Sequence, residues 1–514
     1  MPLQGASRNG IITLPVGGGI VADEVTQELA ENVCTDGNNV RFRDGYVRKT
    51  EGYQAALTTP VVIPYHIANL QNSGNNYWVH VGLTAAYSDN GITQTNITGS
   101  TALTSTLTQK ITSCVLGGVL IINNQADRPK YWAGTGNLAN LTGWTSTHRC
   151  KSLRSFKNYL VALNITKGST NYASMVKWSH AAAPGFIPDS WDEADATKDA
   201  GELDVAETDD EIVDGLALGN TFIIYKQRSC YGMQYLGNNL IFRVFKLPGG
   251  FGALSQNCVA DTPNGHVVLA NGPDVILHYA NEPKSILQGR WRKWLADNID
   301  TTNYGNSFVV CNRDKSEVWV CIPTTGSTYP NVALIWNWND DTWAKITIPS
   351  LTHAHFGTYT QADTAFSAES ALTFATWTEP FDSIDVSTRM LASSANTKLY
   401  LMDEGDTADG SNFTATFSRV GLSFGDADMR KLHRGTTLRV DATAGTVLGV
   451  EGASSDDVEG PYTYATSVPY TVGTTRKADF MVSGRFIGYR VTSTGAGQWR
   501  IKSVGNDVKP LGAY

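Results

Sequence analysis

The sequence predicts an all-β chain, a β-propeller of about six blades (five to seven fit) plus a small C-terminal β-sandwich, and three observations predict it. Short runs with period-two alternation recur between Gly, Asn and Asp turns, and long helical periodicity is missing. Charged residues make up only 17 % of the 514 positions, against about 25 % in typical domains, while Gly and Thr are abundant. Hairpin units start roughly 40–60 residues apart, the period of propeller blades.

Residues 1–60 read as an N-terminal arm carrying a hairpin. Asn39-Val40-Arg41-Phe42-Arg43 turns at Asp44-Gly45 into Tyr46-Val47-Arg48-Lys49, and Asp-Gly between alternating runs is a strong hairpin signal. Asp23 to Asn32 is the stretch that fits one short helix.

Residues 61–417 hold the blade units. Tyr77 to Val81 is followed by Ala85 to Tyr87; a Gly-broken apolar run from Val115 to Ile122 leads to Tyr131-Trp132; Tyr159 to Leu163 leads to Met175 to Trp178. Phe222 to Tyr225, Cys230 to Met233 and Leu240 to Phe245 make the next unit, and Val267 to Leu269 with Val275 to Tyr279 another. Val318 to Ile322 precedes Leu334 to Trp338, which returns through Asn339-Asp340-Asp341 into Trp343, and Lys398 to Met402 comes last. Alternation puts Leu334, Trp336 and Trp338 on one face. Burying such groups against the next blade is worth roughly 1.5–3 kcal/mol each, so a closed ring supplies every blade with the neighbours it needs.

After Phe417 the strands crowd together: Thr436 to Val440, Thr446 to Val450, Tyr462 to Tyr470, Ala478 to Val482, Phe486 to Thr492 and Trp499 to Val504. Residues 418–514 therefore read as a separate sandwich.

Composition excludes several classes. The longest near-continuous apolar stretch, Cys114 to Ile122, falls far short of the roughly 20 residues of a membrane span, so stable membrane insertion is not expected. The first twenty residues lack the basic, apolar and cleavage regions of a signal peptide. Seven cysteines, scattered singly with no CxxC pair, read as buried reduced thiols rather than a disulfide framework or zinc ribbon.

Charge is unevenly distributed. Asp189 to Asp214 holds twelve acids against the single base Lys198, so this segment carries −11 while the rest of the chain sums to +3. Its acids Asp192, Glu193, Asp195, Asp199, Glu202, Asp204, Glu207, Asp209, Asp210 and Glu211 are candidates for a surface that repels nucleic acid, a solvated loop being the plainer reading. Arg430, Lys431, Arg434 and Arg439 form a local basic patch, a candidate contact for DNA or an acidic partner.

No catalytic constellation is expected. Gly421-Leu422-Ser423-Phe424-Gly425 matches a nucleophile elbow in letters, but it leads into further β structure and only His433 follows it. His353 and His355 lack the further ligands a zinc site requires and read as a surface pair. Gly17-Gly18-Gly19 is not followed by the Gly-Lys-Ser/Thr of a phosphate loop, and the sialidase-type Asp-box repeat is absent. Cofactors are not expected, nor is enzymatic activity.

Three stretches resemble the tail nozzle (tail hub or tail tubular) proteins of short-tailed bacteriophages. They are Asn38 to Lys49 with Gly52, similar to a shared "NVRFRDG" opening; Leu334 to Trp343, similar to a "YNYxxxTW" blade signature; and Gly484 to Arg490 followed by Trp499-Arg500, like the closing β segment of those chains. The resemblance implies a structural virion protein of the tail, assembled in the host cytoplasm. It further implies a homohexameric ring between the portal and adaptor (head-to-tail connector) ring and a distal needle, tip or fibre. Double-stranded DNA would pass through its lumen without specific binding, and a lumen lined by residues 189–214 suits that task, because each phosphate neutralised by a base adds affinity. Two alternatives stay open: a receptor- or glycan-binding tail component, and a propeller glycoside hydrolase.

Overall fold

A computed structural model of the chain describes residues 10–237, 240–279, 282–360 and 386–513. Seven four-stranded antiparallel sheets follow one another: blade 1 (66–96), blade 2 (112–140), blade 3 (148–204), blade 4 (212–246), blade 5 (259–285), blade 6 (308–347) and blade 7 (351–402). The first strand of each blade packs on the first strand of the next, and that of blade 7 packs on that of blade 1, so the ring is closed. The chain is a β-propeller of seven blades, the upper end of the five to seven expected.

One blade is hard to see locally for a topological reason. Blade 7 takes three strands from 351–402 and its outermost strand, Tyr53–Ala55, from the other end of the chain, with Met402 opposite Tyr53 and Tyr400 opposite Ala55. A local reading sees that blade only as Lys398 to Met402. The run from Val115 to Ile122 is likewise two strands, Thr112–Leu116 and Val119–Asn123, joined through Gly117 and Gly118 at φ 57° and 83°, a backbone that only a residue without a Cβ adopts cheaply twice in succession.

Each seam between blades holds an apolar core, that of blades 5 and 6 being continuous with the sandwich. Leu116, Val119 and Ile121 meet Leu153 and Leu160 between blades 2 and 3, and Val161, Leu163 and Val176 meet Phe222, Ile224 and Met233 between blades 3 and 4. Among the described residues the seam of blades 7 and 1 is the thinnest, with Ile67, Trp78, Leu391, Leu399 and Leu401 as its buried members. Six of the seven cysteines are buried, Cys114 being half-buried.

The sandwich uses both chain ends. One sheet runs Val40–Arg43, Tyr46–Lys49, Trp499–Ala513, Met429–Ala442, Ala478–Gly484, with Gly10–Pro15 also paired to Trp499–Ala513. The other runs Asp36–Asn38, Ala415–Leu422, Phe486–Ser493, Val447–Ser455, Thr463–Tyr464, with Val468–Thr471 on Val447–Ser455. The Asp44-Gly45 hairpin forms as expected, at φ 55° and 74°. Its residues are strands of the sandwich rather than a free arm.

Asp23 to Asn32 forms turns and no helix. Its start is held elsewhere: the Asp23 carboxylate accepts the backbone N–H of Lys293 (2.7 Å) and Trp294 (3.1 Å), capping the short helix Arg292–Asn298. The sandwich lies against blades 5 and 6 and shares one continuous core with them, from Val267, Val318 and Trp336 to Leu448, Ile487 and Val504. Among the described residues no helix is long and apolar enough to cross a membrane.

Candidate functional site

The ten acidic candidates lie along the rim of blade 3 and the crossover that leaves it. Asp192, Glu193, Asp195 and Asp199 occupy the connection between Thr170–Trp178 and Gly201–Asp204; Glu202 and Asp204 sit on the latter, the outermost strand; Glu207, Asp209, Asp210 and Glu211 lie in the crossover to blade 4. Much of this charge is already compensated. Lys177 pairs with Glu193 and, at 3.1 Å, with Glu202, which also meets Lys167 at 2.6 Å. Lys151 lies 2.9 Å from Glu211, Lys226 3.5 Å from Asp210, and the Tyr159 hydroxyl donates to Asp199 at 3.0 Å. Asp192 and Glu207 keep exposed carboxylates with no cation beside them among the described residues, while the exposed Asp204 and Asp209 share the field of the Lys226 ammonium with Asp210.

The basic patch does not hold together as four free cations. Lys431 is buried, its ammonium donating to the carbonyls of Asp426, Met429 and Arg485, because a charged amine taken out of water needs acceptors around it. Arg430 lies 3.3 Å from Asp456 and Arg434 2.6 Å from Asp507, which leaves Arg439, exposed and without an acidic partner among the described residues, as the available one.

The propeller axis encloses a chamber of ≈ 600 Å³ lined by the first strands of all seven blades. Its charged centre is Arg154, whose guanidinium donates to both carboxylate oxygens of Asp214 (2.9 and 2.6 Å) and to Asn257 Oδ1 (2.9 Å). Burial opposes the charge on Asp214, but Arg154, the Ser152 hydroxyl and the Asn257 N–H hold its carboxyl below the usual range. His353 and His355 line this chamber and are not a surface pair; the expectation failed because the innermost strand of blade 7 turns them toward the axis. His353 donates through Nδ1 to the Ile67 carbonyl (3.1 Å) and stacks on His66, ring centroids 4.0 Å apart. Burial pushes His355 down to about 4 and holds His66 and His353 well below the ordinary value, so the rings are neutral at pH 7. No group of three or more His, Cys, Asp or Glu placed to hold a metal occurs among the described residues. Gly421 to Gly425 is a strand-to-strand turn, not a strand-to-helix elbow.

The most heavily buried ionic cluster joins the sandwich to the propeller. Arg41 pairs with Asp403, and its guanidinium lies 3.3 Å from Glu317 and 3.4 Å from Glu51; Arg43 also holds Glu317, at 2.9 Å, and Lys315 lies 3.5 Å from Asp403. Three cations face three carboxylates, so the buried charge sums to zero. Around it, the Asn39 N–H donates to the Lys345 carbonyl (2.9 Å), the Thr342 hydroxyl to the Phe42 carbonyl (3.1 Å), and the Asp44 N–H to the Asp340 carboxylate (3.0 Å). Two motifs some three hundred positions apart in the chain thus meet face to face. Sequence reasoning missed both this cluster and the chamber, since their members are single residues on strands remote in sequence.

No family model matches the chain, and no curated protein matches it. Among solved structures it is similar to the WD40 β-propeller domain of Doa1, at 12% identity over 68% of this chain and 96% of that one, TM-score 0.37. It is also similar to the computationally designed Ika8 protein, at 10% identity over 76% of this chain and 99% of that one, TM-score 0.37.

Proposed function

We propose that this chain is a structural subunit of the tail of a short-tailed bacteriophage, the nozzle ring that conducts the genome between the portal and adaptor rings and the distal tail during packaging retention and ejection. The observation that carries the reading is the junction of the two resembling motifs: the Val40–Arg43 hairpin meets the one that returns into Thr342–Thr347 through the Thr342 hydroxyl and the Asp340 carboxylate, while Arg41 and Arg43 hold Glu317 on the neighbouring strand, so that the sandwich and blade 6 are bolted together. A part that withstands the passage of DNA needs such a rigid joint between its modules.

The axial chamber bears on how a conduit would be built. At ≈ 600 Å³ it has the size of a small-molecule pocket, about 300–1,000 Å³, and does not admit duplex DNA. A channel for duplex DNA therefore lies between subunits, with the propeller as a solid wedge in the wall. The adaptor, the distal needle, tip or fibre and five further copies of this chain are the partners of that arrangement, and the DNA passes without specific binding. Native mass spectrometry and electron microscopy of the purified protein test the reading. A sixfold ring with a pore as wide as duplex DNA is expected; a monomer at every concentration refutes it.

A further inference from the structure

The outward face of the first sandwich sheet carries more positive charge than the chain itself neutralises. Val47 and Ile501, cross-strand partners, are fully buried and point into the core, so alternation turns Tyr46, Arg48, Arg500 and Lys502 outward. Arg48 lies directly opposite Arg500 in the register, and like charges so placed destabilise a sheet unless an anion lies between them. The chain supplies little: Asp44 is 3.9 Å from Arg48, Asp441 is 2.6 Å from Arg500, and the Nε of Arg48 is buried without a hydrogen-bond partner. Lys502, 5.4 Å from the Tyr46 ring, and Arg439 on the neighbouring strand have no acidic partner among the described residues.

A surface of opposite character lies on the rim of blade 3. The outermost strand of blade 3 exposes Leu203 (43%) beside Asp204, and the crossover after it exposes Glu207 and Asp209; Asp204 and Asp209 share the single Lys226 ammonium with Asp210, and Glu207 has no cation beside it among the described residues, so the rim stays acidic. The sandwich packs on the outermost strand of blade 6, three blades away on a ring of seven. The two surfaces are therefore separate patches of the chain.

We infer that the Arg48–Arg439–Arg500–Lys502 face docks on the blade 3 rim of a second copy of this chain. Different patches meeting head to tail make a heterologous contact, which closes into a ring when the rotation between copies closes. Each patch has the make-up of an interface, an aromatic or aliphatic group within a charged surround, and complementary potentials fix its register while like-charge contacts exclude the wrong one. The inference deepens the proposed function and rests on its ring.

Two variants test it: Asp204→Lys/Glu207→Lys/Asp209→Lys, which makes both surfaces positive, and Arg439→Glu/Lys502→Glu, which makes the sandwich face acidic. All five positions are surface side chains, and circular dichroism melts check that each variant folds as the parent does. Sedimentation velocity should show at least tenfold weaker self-association of either variant alone, and an equimolar mixture should rebuild rings of the parental mass, because each variant then meets its complement. Variants that assemble alone as well as the parent, or a mixture that stays dispersed while the parent forms rings, overturn the inference and leave the proposed function standing. A parent that never assembles overturns the proposed function and the inference with it.

Discussion

Replacing Arg41 with Ala removes the centre of the clasp between sandwich and propeller. Arg41 is 1% exposed in its side chain, and so is Glu317, while Asp403 is 5% exposed. Deleting one partner of a buried pair leaves the other charge without compensation, a loss of about 3–5 kcal/mol. Arg43 still reaches Glu317 at 2.9 Å and Lys315 still lies 3.5 Å from Asp403, which places the expected loss at the lower end, about 3 kcal/mol. The pH dependence gives a second reading. Burial alone would raise the Asp403 carboxyl, but Arg41, then Lys315, outweigh it and hold it below its ordinary value. In the parent this group stabilises the fold above the unfolded carboxylate range and loses its contribution only as pH falls through the lowered value. In the variant burial wins and the carboxyl rises, so the folded state takes up a proton before the unfolded chain does, and part of the deficit is recovered between pH 7 and 5. Urea denaturation of both proteins at pH 7 and 5 measures this. A loss under about 1 kcal/mol, the scale of an exposed pair, or a deficit identical at both pH values, refutes the account.

Three further outcomes are expected. In Gly488→Ala a Cβ would sit 2.4 Å from the Arg419 carbonyl oxygen and 2.8 Å from the Val420 Cα, both backbone, so denaturation should show a loss of at least about 2 kcal/mol from overpacking. Lys431→Met strands the three carbonyls that share its ammonium, and a stability loss of about 1–3 kcal/mol is expected, with no change in the salt dependence of assembly, in contrast to substitution of Arg439. Burial pushes His80, His266, His355 and His433 down to about 4 and holds His66 and His353 well below the ordinary value. For a depressed histidine the unfolded chain binds the proton first, so stability should fall as pH drops from the unfolded value toward 4. The slope of melting temperature against pH reports the protons taken up on unfolding, and His353→Gln should lower that number at pH 5 by about one.

Much of the propeller was legible because its signals are local. Alternation in Leu334 to Trp338, the Asp44-Gly45 turn and the six runs after Phe417 each depend on side chains within a few positions, and five of those six runs appear as strands where they were expected, Tyr462 to Tyr470 being split into Thr463–Tyr464 and Val468–Thr471. What the chain joins across long distances carries no such mark. Nothing around Tyr53–Ala55 announces that it completes a blade begun at Leu351, and nothing around Asp23 announces that it caps a helix at Arg292.

The candidate sites divide in the same way. That 189–214 is acidic is plain from the residues; that Lys177, Lys151 and Lys226 absorb much of its charge is a property of strands brought alongside it. The basic patch was four letters in a row of ten, yet the alternation and bulges of Met429–Ala442 bury one member, pair two and expose one. Residue pattern by itself determined that this chain is built of β hairpins, where many of their turns fall and which faces seek cover. Only the tertiary structure decided that the blades number seven, that both chain ends share one sandwich, and that an arginine clasp locks it to the ring, because strand pairing and ion pairing between remote segments are settled by packing the whole chain at once.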